Sequence, residues 1–122
     1  MPSKELRNVL VATNKYQVKG TLWIECNGQR YFGPGPAELL QHISTTGSIR
    51  QAAMQMGMSY KKAWHMVNML NENTASPMVI PQTGGSKGGG SVVTEEAKTM
   101  IAWHMELRDR FSRFLESESL NM

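Results

Sequence analysis

Apolar and polar positions along the 122-residue chain change period several times, and each change marks an element. Residues 1 to 18 are ambiguous, since LRNVLVA suits either a short helix or a strand and nothing caps it. From Gly20 the pattern sharpens, because TLWIEC and RYFG flank Asn27-Gly28, the dipeptide that most favours a two-residue hairpin turn. PGPAELLQHIST then puts Pro36 in a first helical turn and spaces Leu39, Leu40 and Ile43 along one helical face, ending near Gly47. Ser48, with Gln51 three residues on, can satisfy orphan backbone N–H groups at the start of a short second helix through AAMQM. Gly57 interrupts and Ser59 caps again. YKKAWHMVNMLNE continues helically with Tyr60, Ala63, Trp64, Val67 and Leu70 on one face and Lys61, Lys62, His65 and Asn68 opposite.

Beyond Pro77 the β-prone Met78-Val79-Ile80, a glycine-rich stretch and Ser91-Val92-Val93 predict a second hairpin. Thr94, followed by Glu95 and Glu96, opens a last helix with acidic residues at its electropositive end. Its stripe of Ala97, Met100, Ile101, His104, Leu107, Phe111 and Phe114 runs for about 20 residues, roughly 30 Å. A small domain has no need of so long an apolar stripe for itself, so the stripe points to packing on another subunit.

Composition narrows the class. The length suits one domain with appendages, and a hydrophobic content of 40% with 19% charged residues is that of an ordinary globular protein. No apolar run reaches the roughly 20 residues of a membrane span, and MPSKELRNVL lacks the apolar centre of a secretory signal. The single Cys26 fits a reducing compartment, so a cytoplasmic protein is expected. The net charge of +3 is unevenly spread. Residues 1 to 94 hold nine Lys/Arg against four Asp/Glu, and residues 95 to 122 hold four against six. The basic excess of the first part suits a polyanionic partner.

The chemistry of catalysis is missing from the pattern. His42, His65 and His104 have no metal-ligand spacing, and no carboxylate pair lies near a nucleophile, so neither an enzyme, a metal site nor a cofactor is expected. The ten methionines, scattered at helical spacing, read as adaptable core filler. QTGGSKGGGSVVT, residues 82 to 94, invites a nucleotide-cradle reading and fails it. A phosphate-binding loop needs G-x-x-x-x-G-K-[ST] ahead of a helix, whereas Gly89 is followed by Gly90 and two valines precede the next helix.

Hairpin, helix, short helix, glycine turn, helix, hairpin and long helix form the plan of a winged helix-turn-helix. Small Ala52 and Ala53 let a crossing helix approach closely. The outward face of the second helix of the pair would then enter the major groove. A solvated face is the plain reading of any lysine pair, but Lys61 and Lys62 stand in a first helical turn, where the helix dipole prefers acids. Phosphates or guanine edges would give them a reason. Both aromatics, Tyr60 and Trp64, are of a kind that stacks on bases, but the spacing of Trp64 with Ala63 and Val67 points to the core. Tyr60, at the exposed start of the helix, is open to either reading, its ring able to pack while its hydroxyl reaches a phosphate.

Three linked stretches carry a resemblance: Thr46-Gly47-Ser48-Ile49 with Ala52-Ala53; Met58-Ser59-Tyr60-Lys61 with Ala63-Trp64 and Asn71; and Thr83-Gly84-Gly85 through Gly88-Gly89-Gly90 to Thr94. Residues 20 to 97 resemble the DNA-binding domain of the ModE family, molybdate-responsive bacterial transcription regulators. The resemblance implies an α+β, mainly helical fold: a winged helix-turn-helix with an N-terminal β-hairpin and a long C-terminal dimerisation helix. It implies a recognition helix at 59–72 and a wing at 79–93. It also implies an extension at 1–19, a DNA-binding domain at 20–97 and a dimerisation segment at 98–122. Family members typically carry an arginine where Pro81-Gln82 stands and glycine where Ala97 stands. Their molybdate-binding region lies C-terminal to this domain; the chain has no room for one before Met122, so molybdate is not expected to bind within it.

The expected function is that of a homodimeric, sequence-specific regulator bound to double-stranded DNA at a near-palindromic operator. The expected DNA-binding residues are Ser48, Arg50, Gln51, Ser59, Tyr60, Lys61, Lys62, His65, Asn68, Thr83, Ser86 and Lys87. The expected dimer interface comprises Met100, Ile101, His104, Leu107, Phe111 and Phe114. The alternatives are a winged-helix module that pairs with another regulator, or a small oxyanion-binding regulator.

Overall fold

The computed structural model describes residues 4–11, 15–82 and 90–121. In chain order these form α1 (Lys4–Val9), β1 (Ile24–Cys26), β2 (Gln29–Phe32), α2 (Pro34–Thr46), α3 (Ile49–Gln55), α4 (Tyr60–Glu72), β3 (Val79–Gln82), β4 (Gly90–Val93) and α5 (Glu95–Leu120). The result is an α+β chain, mainly helical, with two separate two-stranded antiparallel sheets. Chain contacts divide it into a larger unit, residues 23–103, and a smaller one, residues 1–22 with 104–122.

In the larger unit β1 and β2 turn at Asn27 (φ 53°) and Gly28 (φ 80°), the positive angles that a tight hairpin turn requires. The expected first strand is shorter than TLWIEC, beginning only at Ile24. Its partner ends at Phe32, because Gly33 is already the N-cap of α2 and Pro34, with no N–H to give a ladder, starts that helix. Residues 21–23 thus have no strand to pair with.

α2 buries Ala37, Leu39, Leu40 and Ile43, and α4 buries Ala63, Val67 and Leu70. Between them α3 contributes Ala52 and Ala53, both buried, so that side chains with a single methyl let the helices close together. Phe32, Leu39, Leu40, Ile43, Leu70 and Met78 are fully buried. Each of these large side chains stabilises the fold by about 1.5–3 kcal/mol relative to exposure. The α3–α4 turn is closed by Gly57 N–H donating to the Met54 carbonyl (3.1 Å) and Met58 N–H to that of Ala53 (3.0 Å).

β3 and β4 pair in register from Val79↔Val93 to Gln82↔Gly90. Val79 and Val93 face the core, while their neighbours Ile80 and Val92 are exposed. The hairpin is fastened to α2 by the Ser91 N–H, which donates to the Gly47 carbonyl at 2.9 Å. A Cβ on Gly90 would lie 2.8 Å from that same carbonyl oxygen, which as backbone cannot swing aside. Gly90→Ala is therefore expected to cost about 1–2 kcal/mol. An unchanged midpoint in urea unfolding would contradict so close an approach. Thr94 joins the hairpin to α5: its hydroxyl donates to the Pro77 carbonyl (2.8 Å) and accepts from Ala97 N–H (3.3 Å).

In the smaller unit α1 resolves the ambiguous start as a single helical stretch. Val18 N–H donates to Ser119 Oγ at 2.7 Å, and Gly20 lies so close to Phe111 that a Cβ would meet its ring at 3.0 Å. α5 is longer than its apolar stripe, 26 residues, since the polar ESES segment continues it to Leu120.

Candidate nucleic-acid interface

Two serines set where α3 and α4 begin. Ser48 Oγ accepts from Gln51 N–H at 3.1 Å, and Ser59 Oγ accepts from Lys62 N–H at 3.0 Å. Of the candidate DNA-binding serines, Ser48 and Ser59 thus hold helix starts. The Gln51 side chain is exposed, and Asn68 is half-buried on α4.

The start of α4 places Lys61 and Lys62 in its first turn, with no acidic residue beside them. Both are exposed, as is His65 one turn on. Ser59, Lys61, Lys62, His65, Met66 and Met69 line an open groove of ≈ 360 Å³. Among the described residues the ion pairs are Lys98–Glu95 and Arg113–Asp109, and His42 Nε2 lies 3.7 Å from a Glu38 carboxylate oxygen. Within that set neither the two lysines nor Arg50 is neutralised by a carboxylate. The positive charge of this face stays available to an anion.

On the neighbouring flank the structure departs from expectation. Trp64 is 43% exposed rather than packed in the core, and Tyr60 is 39% exposed. Trp64 follows Ala63, and one residue turns a helix by about 100°, which carries it off the narrow stripe of Ala63, Val67 and Leu70. The two aromatics are bonded to one another, Trp64 Nε1–H donating to Tyr60 Oη at 2.8 Å. The Arg50 guanidinium from α3 lies over the Tyr60 ring, 4.3 Å from its centroid.

Asn71 has a role that spacing alone did not reveal. Its Oδ1 accepts from Met78 N–H (2.8 Å) and Val79 N–H (3.1 Å), and its Nδ2 donates to the Val79 carbonyl (2.9 Å). One side chain thus ties the end of α4 to the start of β3. A polar residue on the inner flank of a helix, seven positions ahead of a β-prone run, was the signal available.

Thr83, Ser86 and Lys87 lie outside the described residues. Of the expected interface residues on α5, Met100 and Ile101 are half-buried against the core of the larger unit. His104 is fully buried, Leu107 and Phe111 are half-buried, and Phe114 is 57% exposed. Trp103 and Met105, also on α5, are exposed as well. Among the described residues no cluster of three or more His, Cys, Asp or Glu is placed to hold a metal ion, and no helix is long and apolar enough to cross a membrane.

No protein-family model matches the chain. Curated relatives do. The molybdenum-pterin-binding protein MopB of Rhodobacter capsulatus is 38% identical over 101 residues, 81% of this chain and 37% of that protein. The DNA-binding transcriptional dual regulator ModE of Escherichia coli (strain K12) is 35% identical over 85 residues, 70% of this chain and 32% of that protein. The molybdenum transport protein ModE of Azotobacter vinelandii is 34% identical over 85 residues, again 32% of its own length. The chain spans about a third of the length of these relatives.

Proposed function

This chain belongs to the ModE family over most of its length, and from that premise we propose that it is a sequence-specific, DNA-binding transcriptional regulator acting as a homodimer in the cytoplasm. Three helices followed by a hairpin fit the order of a winged helix-turn-helix, with α4 as the helix that enters the major groove and residues 79–93 as the wing. On this reading residues 20–97 form the DNA-binding domain, residues 1–19 an extension and residues 98–122 the dimerisation segment. Ser59, Lys61, Lys62 and His65 read or brace the groove, and Arg50, Gln51 and Lys87 touch phosphates. Exposed Trp103 and Phe114 on α5 support a partner copy along that helix.

The observation that carries the reading is the lysine pair in the first turn of α4, where the dipole disfavours it and no carboxylate among the described residues neutralises it. Selection of bound duplexes from a random pool tests it. The recovered sites are expected to be near-palindromic, with half-sites about 34 Å apart or a multiple of that. Log affinity is expected to fall linearly with log salt, by about 0.9 per phosphate neutralised. A pool that yields no motif, with affinity indifferent to salt, would overturn the reading.

A further inference from the structure

We propose, resting on that DNA-binding reading, that Arg50 and Tyr60 grip one backbone phosphate together and that Trp64 is the residue that positions the Tyr60 hydroxyl for it. The three side chains come from two helices and are exposed, yet they are in contact with one another. A tyrosine hydroxyl has one proton to donate and accepts through its lone pairs. Because Trp64 Nε1–H occupies an acceptor position of Tyr60 Oη at 2.8 Å, the phenolic proton is directed elsewhere, toward an incoming acceptor. Arg50 holds its guanidinium carbon over the ring, 4.3 Å from the centroid, and a guanidinium in such a cation–π contact keeps N–H donors to offer a second oxygen of the same phosphate. Trp64 has only a donor to give, so it cannot compete for the tyrosine proton. A surface pair serving only to cover the core would not need both its polar atoms engaged in this order.

The test measures duplex affinity against salt for the full chain and for Tyr60→Phe, Trp64→Phe, the double variant and Arg50→Ala, each with its thermal midpoint. Tyr60→Phe is expected to weaken binding about 10-fold with the salt slope unchanged, because a neutral donor to a charged oxygen is lost. Trp64→Phe is expected to weaken it about 3-fold, and the double variant to bind no worse than Tyr60→Phe alone, since Trp64 acts through that hydroxyl. Arg50→Ala is expected to reduce the slope by about one unit. Multiplying losses in the double variant would overturn the positioning role, as would affinity losses that simply track lowered midpoints. A parent chain that binds duplex normally while Tyr60→Phe is silent would overturn the clamp. A parent chain that binds no duplex at all would instead sink the functional reading, and the clamp with it.

Discussion

Asn71→Ala is expected to destabilise the larger unit by about 2–3 kcal/mol, the greatest stability loss foreseen for any exchange of one side chain outside the apolar core. The substitution removes no charge and leaves little void. What it removes is the partner of three backbone groups at once: Met78 N–H, Val79 N–H and the Val79 carbonyl. Met78 and Val79 are themselves buried, so water reaches these groups poorly and each keeps part of its desolvation cost. The thermal midpoint should fall by roughly 8–15 °C for a chain of this size. Asn71→Asp separates the terms, since its carboxylate still accepts from the two N–H groups but has no amide to offer Val79. An intermediate loss is expected there. Equal losses for alanine and aspartate would show that the bond to the Val79 carbonyl, and not the paired acceptance, holds the strand.

The contrast between Asn71 and the two serine caps explains which parts of this fold were legible. Ser48 and Ser59 bond backbone groups three residues on, so the sequence contains both ends of the device, and the starts of α3 and α4 follow directly. Asn71 bonds across a chain reversal, and nothing local says that Met78 returns to meet it. Trp64 was misplaced for a different reason. Periodicity assigns an apolar residue to a stripe, but the width of the stripe depends on what faces it; α4 buries Ala63 with Val67 and Leu70, and the neighbouring α3 buries only the small Ala52 and Ala53. A contact built from alanines is narrow, and a neighbour about 100° round the helix falls outside it. The length of β1 escaped for a related reason, since a strand is only as long as its partner allows and α2 starts at Pro34. At the candidate site the basic face of α4 was legible because charge and first-turn position are local properties. The Arg50–Tyr60–Trp64 arrangement joins two helices and emerged only from their packing.

The double substitution Lys61→Ala, Lys62→Ala is expected to move binding and stability in opposite directions. On the DNA-binding reading, removing two cations that would release counterions from the duplex should lower the salt slope by about two units and weaken binding on the order of 100-fold at moderate salt. The same change should raise the free energy of unfolding by about 0.5–1 kcal/mol, because both charges sit at the electropositive end of α4 with no acidic residue in its first turn to offset them. Alanine also suits a helix interior at least as well as lysine, so propensity adds nothing against the gain. Measuring both quantities on one preparation is decisive, since a variant that bound DNA poorly because it was misfolded would show the opposite stability change. If binding were untouched while stability rose, the lysines would be no more than a solvated face. If both fell, Lys61 and Lys62 would be supporting the fold, and the groove they line with Met66 and Met69 would not be where DNA is gripped. Only a stabler protein with weaker, less salt-sensitive binding fits a recognition helix that gives up stability in order to meet a polyanion.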